Sequence, residues 1–246
     1  MPIETIETRR LYRQIADQIS RLIEAGEYTP GMRLPAERML ASQLKVSRPS
    51  VREALIALEV EGWVDIRGGT GVFVLDRSPE KKKADDRDSS STPGPAPART
   101  APPVGPIELL DARDMIEPEI AAWAARSATD ETISTLSGIL GDMVCCSSAD
   151  PRHMEHDHRF HAALATATGN AALLQVMETL WAMRLAPLYV QLQNHFHNEV
   201  IWQQAILEHR EILEAVKRRD AKSARAAMHH HIHNARKRYI SNWQEN

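Results

Sequence analysis

The stretch Ser47-Arg-Pro-Ser-Val-Arg-Glu-Ala-Leu-Ile-Ala-Leu58 predicts a helix whose two sides differ in chemistry. Ser47 is placed to cap it, and Pro49 falls in the first turn, where a missing N–H costs nothing. Val51, Ala54, Leu55 and Leu58 follow the 3, 4, 7 spacing of one buried face. Arg48 and Arg52, four residues apart, stand one turn above the other beside that face. Two guanidiniums near a helix N-terminus suit the base edges and phosphates of a major groove. On an isolated helix such a pair would be ordinary solvated charge, so the flanking sequence decides.

Upstream, Leu34 to Leu44 reads as a short helix opened by Pro35, with Leu40, Ala41 and Leu44 turned inward; Lys45-Val46 makes the turn into Ser47. Two helices joined by about three residues form a helix-turn-helix unit. Downstream, Trp63 to Leu75 holds two runs of alternating apolar residues around a glycine-rich turn, which predicts a β-hairpin wing. Further upstream, Arg9 to Gly26 reads as an amphipathic helix carrying Leu11, Ile15, Ile19, Leu22 and Ile23.

The segments Leu34-Pro-Ala-Glu-Arg38, Ser47-Arg-x-x-Val-Arg-Glu-Ala-Leu55 and Gly69-Thr-Gly-Val-Phe-Val74 resemble the GntR-family winged helix over residues 9 to 75. The resemblance implies DNA contacts from Arg38, Arg48 and Arg52 and from the wing tip at Gly68 and Gly69, with weaker contacts from Ser47 and Ser50. Pro49 stands where many members of that family carry threonine.

The 246 residues, 43% of them apolar, suffice for two modest domains. With no run of 18 apolar residues and no signal-peptide pattern at the start, the sequence predicts a cytoplasmic protein without a membrane segment. Adjacent Cys145 and Cys146 offer no disulfide framework. The net charge of -3 excludes a protein that coats nucleic acid by charge alone, and residues 1 to 75 balance ten basic against ten acidic side chains. DNA affinity must come from the placement of individual arginines and from dimerisation.

Three segments follow: a winged helix-turn-helix over residues 1–75, a Pro-, Ser- and charge-rich flexible linker over 76–106, and an all-α bundle over 107–246. Seven of the fourteen prolines fall in the linker, and Lys81 to Lys83 there read as a solvated charge run. Six helices are expected in the bundle, from Ile107 to Ser127, Asp130 to Met143, His153 to Thr168, Ala171 to Gln193 or beyond, Ile201 to Arg218 and Ala221 to Trp243. The fold class is thus mainly α with one small hairpin.

Histidine placement carries the chemistry of the second half. Asp157 and His161 share one helix face. His209 and His231 each lie about eleven residues from the bend near Asp220, so at 1.5 Å per residue both stand roughly 16 Å from it, at one level. One carboxylate and three imidazoles suit a divalent transition metal, zinc foremost, with nickel or manganese as alternatives. Spacing alone also allows a solvated histidine stripe, since His229, His230 and His233 crowd the same helix.

Asp157-His-Arg-Phe-His161, Thr168-Gly-Asn170, Glu208-His-Arg-Glu-Ile-Leu213 and Ala226-Ala-Met-x-x-His231 resemble the FCD effector domain of the FadR subfamily. The resemblance implies that Asp157, His161, His209 and His231 hold the metal and that Arg113 assists a carboxylate effector beside it. His229, His230 and His233 are then surface residues, and Arg184 has two readings, a place facing the cavity and the favoured one, a surface salt bridge. Arg9-Arg-Leu-Tyr12, Trp63-Val-Asp-Ile-Arg67 and Trp202 to Leu207 look most like regulators that answer to hexuronates. The implied protein is a homodimeric regulator, a repressor, that binds a palindromic double-stranded operator and responds to a sugar acid. Two rivals stand beside it. His156-Asp157 is superficially similar to HD-type metal hydrolases, which would make the chain an enzyme, and the metal of a regulator could be purely structural.

Overall fold

The computed structural model describes residues 10–77 and 104–241. These residues divide into two compact units, one ending at Gly105 and the other beginning at Pro106. The expected linker falls almost wholly outside the described residues, as do Lys81 to Lys83.

In the first unit, α1 (Leu11–Glu24), α2 (Glu37–Leu44) and α3 (Arg48–Val60) precede β1 (Val64–Arg67) and β2 (Gly71–Val74). Ser47 caps α3, its Oγ accepting from the Ser50 N–H at 3.3 Å. Val51, Ala54, Leu55 and Leu58 are fully buried, so the α3 face packs as its spacing predicts. Helix α1 turns differently: Tyr12, Ile15, Ala16 and Ile19 are buried, while Leu11 and Leu22 lie on the exposed side. Nor does α2 start at Pro35; its cap is Ala36, and Lys45 closes it in the left-handed region at φ 54°. The strands pair antiparallel with Val64 opposite Val74 and Arg67 opposite Gly71. Alternate residues Val64, Ile66, Val72 and Val74 face inward. Gly69 takes φ +68° at the tip, a conformation that suits glycine.

The second unit is helical throughout: α4 (Pro106–Ser127), α5 (Asp130–Cys145), α6 (Arg152–Ala167), α7 (Ala171–Arg184), α8 (Pro187–Phe196), α9 (Glu199–Lys217) and α10 (Ala221–Ser241). Side-chain caps define the starts. Thr129 accepts from Thr132 N–H at 3.2 Å, Asn198 from Ile201 N–H at 3.0 Å and Asp220 from Ser223 N–H at 3.0 Å. The helix expected from Ala171 to Gln193 is two helices. Residues preceding a proline avoid the helical region, and Ala186 sits at ψ 141° with Pro187 opening α8. Helix α4 packs along α10, α10 against α9, and α6 against α4, α5 and α7. Among the side chains that α6, α9 and α10 bury are Asp157, His161, His209 and His231. No helix among the described residues is long and apolar enough to cross a membrane.

Candidate nucleic-acid face and candidate metal centre

On the first unit, Arg38, Ser47 and Arg48 are exposed, Ser50 is half-buried, and residues 67 to 70 stand clear at the wing tip, including Gly68 and Gly69. Arg48 keeps 42% of its side chain accessible while its Nε lies 3.3 Å from Glu37 Oε1. Arg52 departs from expectation: only 2% of it is accessible. Its Nε donates to Glu37 Oε2 at 3.0 Å and its Nη2 to Glu37 Oε1 at 3.1 Å. One turn further along α3, the side chain is carried under α2 instead of out toward solvent. The sequence assigned Arg52 to the DNA-facing surface; the structure puts it in a buried ion pair that ties α3 to α2. Glu37, itself 4% exposed, went unnoticed because nothing local links it to a residue fifteen positions away.

In the second unit, Asp157 and His161 come from α6, His209 from α9 and His231 from α10. All four are buried, and one donor atom from each lies within 4.8 Å of every other. His209 Nε2 is 3.1 Å from Asp157 Oδ1 and 3.3 Å from His161 Nε2. Behind each ring stands an acceptor. His209 Nδ1 is 2.7 Å from the Ala205 carbonyl, His231 Nδ1 is 2.8 Å from Glu208 Oε2, and His161 Nδ1 is 2.7 Å from Glu117 Oε2. A carbonyl or ionised carboxylate only accepts, so the Nδ1 of His209 and of His231 carries the proton and their Nε2 atoms are left with a lone pair; His161 Nδ1 is close to Glu117 but makes no aligned hydrogen bond. The Nε2 atoms of His209 and His161, at 3.3 Å, need a shared proton or cation between them.

The electrostatics agree. Burial alone would raise the Asp157 and Glu117 carboxyls, but Arg184 beside the first and Arg113 beside the second hold both well below the usual range. For His161, burial works against the charged form, yet Glu117 and Asp157 outweigh it and raise its proton affinity. His231 is pushed down to about 3 by burial and by His209. The cluster thus joins one fixed carboxylate to three imidazoles, two of them oriented by an acceptor behind the ring, a donor set that could hold a divalent transition metal. His229, His230 and His233 are exposed and outside it.

A cavity opens beside the cluster, with Asp157 and His231 in its wall. Arg113, Arg184 and Arg238 also line it. Each is held by a carboxylate of the cluster's surroundings. Arg113 donates to Glu117 at 2.5 and 3.2 Å, Arg184 to Asp157 Oδ2 at 2.7 Å, and Arg238 to Glu208. Arg184 is therefore no surface residue: it is 6% exposed, its guanidinium 4.0 Å from the Trp181 ring centre. The end of α7 at Arg184 turns its side chain inward. Glu117, Glu208 and Arg238 were missed in the sequence, although Glu117 lies four residues after Arg113 and Glu208 directly precedes His209.

Residues 11–74 match the family described as bacterial regulatory proteins, gntR family, and residues 108–234 match the FCD domain. The Uxu operon transcriptional regulator of Escherichia coli (strain K12) is 36% identical over 235 residues, spanning 94% of this chain and 88% of that protein. The Exu regulon transcriptional regulator of the same organism is 36% identical over 237 residues, spanning 95% and 86%. The HTH-type transcriptional repressor NanR of Klebsiella aerogenes is 30% identical over 226 residues, spanning 91% and 83%. All three are transcriptional regulators, which removes the HD-type hydrolase from consideration and speaks against an enzyme.

Proposed function

The chain belongs to the gntR family of bacterial regulatory proteins and carries an FCD domain, and from that premise we propose that it is a homodimeric repressor of a catabolic operon for hexuronates or related sugar acids. The observation that carries this reading is the buried Asp157, His161, His209 and His231 cluster beside a cavity walled by Arg113, Arg184 and Arg238. An anion in such a cavity meets guanidiniums with forked donor geometry and, beside them, a site for a cation. Asp157 and the three histidines would hold a divalent metal, zinc foremost, which would supply a fixed positive charge for a carboxylate. Arg113 would take that carboxylate. The names of the Uxu and Exu relatives support the choice of a hexuronate.

In the cytoplasm, the two winged helices of a dimer would read a palindromic operator, with Arg38, Arg48, Ser47, Ser50 and the Gly68-Gly69 tip at the DNA. Arg52 would act from behind, holding α3 in register through Glu37. The effector must bind more tightly to the form in which the two winged helices fit DNA poorly, because only differential affinity shifts the equilibrium.

The test is an operator selected from random DNA with the metal-loaded full chain, then challenged with glucuronate and galacturonate. Release by either, lost in Arg113→Ala, is the expected result. A selected operator that no sugar acid releases would sink the effector assignment and leave DNA binding standing.

A further inference from the structure

Beyond the clustered donors the cavity is lined by two further imidazoles, with Arg184 the guanidinium whose charge reaches one of them, His197. His153, one turn before Asp157 on α6, stacks on His197, which follows α8, with ring centres 4.3 Å apart and planes 17° apart. Trp202 meets His153 edge-on at 5.5 Å and is itself fixed, its Nε1 donating to the Cys146 carbonyl at 2.6 Å. All three line the cavity. His153 Nδ1 lies 2.6 Å from the Asp150 carbonyl. A carbonyl only accepts, so Nδ1 holds the proton and, in the neutral ring, Nε2 is a bare acceptor. Among the described residues, the Nε2 atoms of His153 and His197 are both buried and without a hydrogen-bond partner. A buried polar atom left so is costly unless a bound group satisfies it.

These two rings do not suit a second metal. Stacked imidazoles send their lone pairs outward in near-parallel planes, whereas ligands of one ion must converge on it. They suit hydroxyl groups, which can donate to the His153 lone pair and either donate to or accept from His197, while the apolar face of a sugar ring meets the indole of Trp202. Nearby, the Gln193 amide is engaged by the Met154 sulfur, a weak acceptor that a hydroxyl can displace. One turn of α6 separates His153 from Asp157, roughly 6 Å, about the reach from a sugar acid's carboxylate to its far hydroxyls.

We propose that His153 and His197, backed by Trp202, form a hydroxyl-reading subsite that admits a sugar acid carrying one carboxylate and rejects its dicarboxylate counterpart. This rests on the sugar-acid reading above and deepens it. A far carboxylate brings acceptors only, and at the His153 Nε2 it meets another acceptor. A far hydroxyl brings the missing hydrogen.

The test is calorimetric titration of the metal-loaded full chain with galacturonate, glucuronate, the diacid glucarate and the short acid lactate. The proteins are wild type, His153→Phe, His197→Phe and His197→Gln, which replaces the ring by an amide should phenylalanine disturb the fold. Each phenylalanine should weaken the better hexuronate roughly tenfold or more, the worth of one lost hydrogen bond, and leave lactate unchanged. Wild type should also prefer that hexuronate to glucarate, and the preference should shrink in the variants. Equal weakening of hexuronate and lactate would mean a structural role and overturn the subsite, as would unaltered hexuronate binding in properly folded variants. Wild type that binds neither hexuronate would bring down the effector reading and the subsite together; hexuronate binding indifferent to both histidines would bring down the subsite alone.

Discussion

Arg52 is clamped by Glu37 through two hydrogen bonds, 3.0 Å from Nε and 3.1 Å from Nη2, and both side chains are almost wholly shielded from solvent. Breaking such a pair strands a charge in a place that water cannot reach. Glu37→Ala should therefore destabilise the DNA-binding unit by about 3–5 kcal/mol. Hydrogen exchange of the α3 amides in wild type and variant would measure it, and unchanged protection in α3 would contradict the clamp.

Arg48 predicts the opposite pattern. Its side chain is 42% accessible and it touches Glu37 through a single 3.3 Å contact. Arg48→Ala should cost operator binding about 1–3 kcal/mol while shifting stability by no more than about 0.5 kcal/mol. Fluorescence anisotropy on the selected operator, beside urea unfolding, separates the two quantities. Arg48→Ala that loses stability and keeps its operator would reverse the roles given to the two arginines.

For the proposed metal centre, the carboxylates behind the rings are the informative targets. Glu208 orients His231 and Glu117 lies against His161. Glu208→Gln and Glu117→Gln should each weaken zinc binding roughly 10–100-fold, read by competition with a chromophoric chelator. Chelation should lower the unfolding temperature of wild type, since an ion bound only to the native state stabilises it, and should leave His161→Ala nearly unchanged. Equal responses in both proteins would remove the ion from this site.

His197 makes a pH prediction. Burial, with His153 beside it, lowers its pKa from 6.5 to about 4. Between those values the unfolded chain binds a proton that the folded chain refuses, so this group's contribution to stability is present above pH 6.5 and is lost as pH falls toward 4. His197→Phe removes the contribution. Wild-type stability relative to the variant should fall across that window and level off on either side of it. A difference that stays flat from pH 7 to 4 would count against the depressed value.

What the sequence revealed and what it hid follow from the range of the interactions. The α3 cap at Ser47, its apolar face and the hairpin wing are local patterns, legible from spacing within a dozen residues. The Asp157 and His161 pair was legible from one helix face and the level of His209 and His231 from one helical hairpin, whereas the meeting of the two pairs was implied only by the resemblance to the FCD domain. Arg52 was misplaced because its partner Glu37 sits on another helix, and a lone arginine in a sequence does not say whether a carboxylate awaits it. Arg184 was misplaced for a related reason: it ends α7, and its direction depends on the corner that follows. Pro187 announced that corner, but the apolar run on both sides of it read as one helix.

That corner also separates two kinds of constraint. The four clustered donors belong to α6, α9 and α10, whereas Tyr189, Gln193 and Phe196 in the cavity wall ride on α8, with His197 directly after it. Because Ala186 is extended and Pro187 starts α8 afresh, substitutions on α8 would change the side chains it presents to the cavity without passing through α7. The donors on the other three helices would keep their places. The cavity wall is thus shared: His197 follows the short helix, whereas His153 and Trp202 ride on α6 and α9 with the donors, so a change confined to α8 alters one side of the wall and leaves the other fixed.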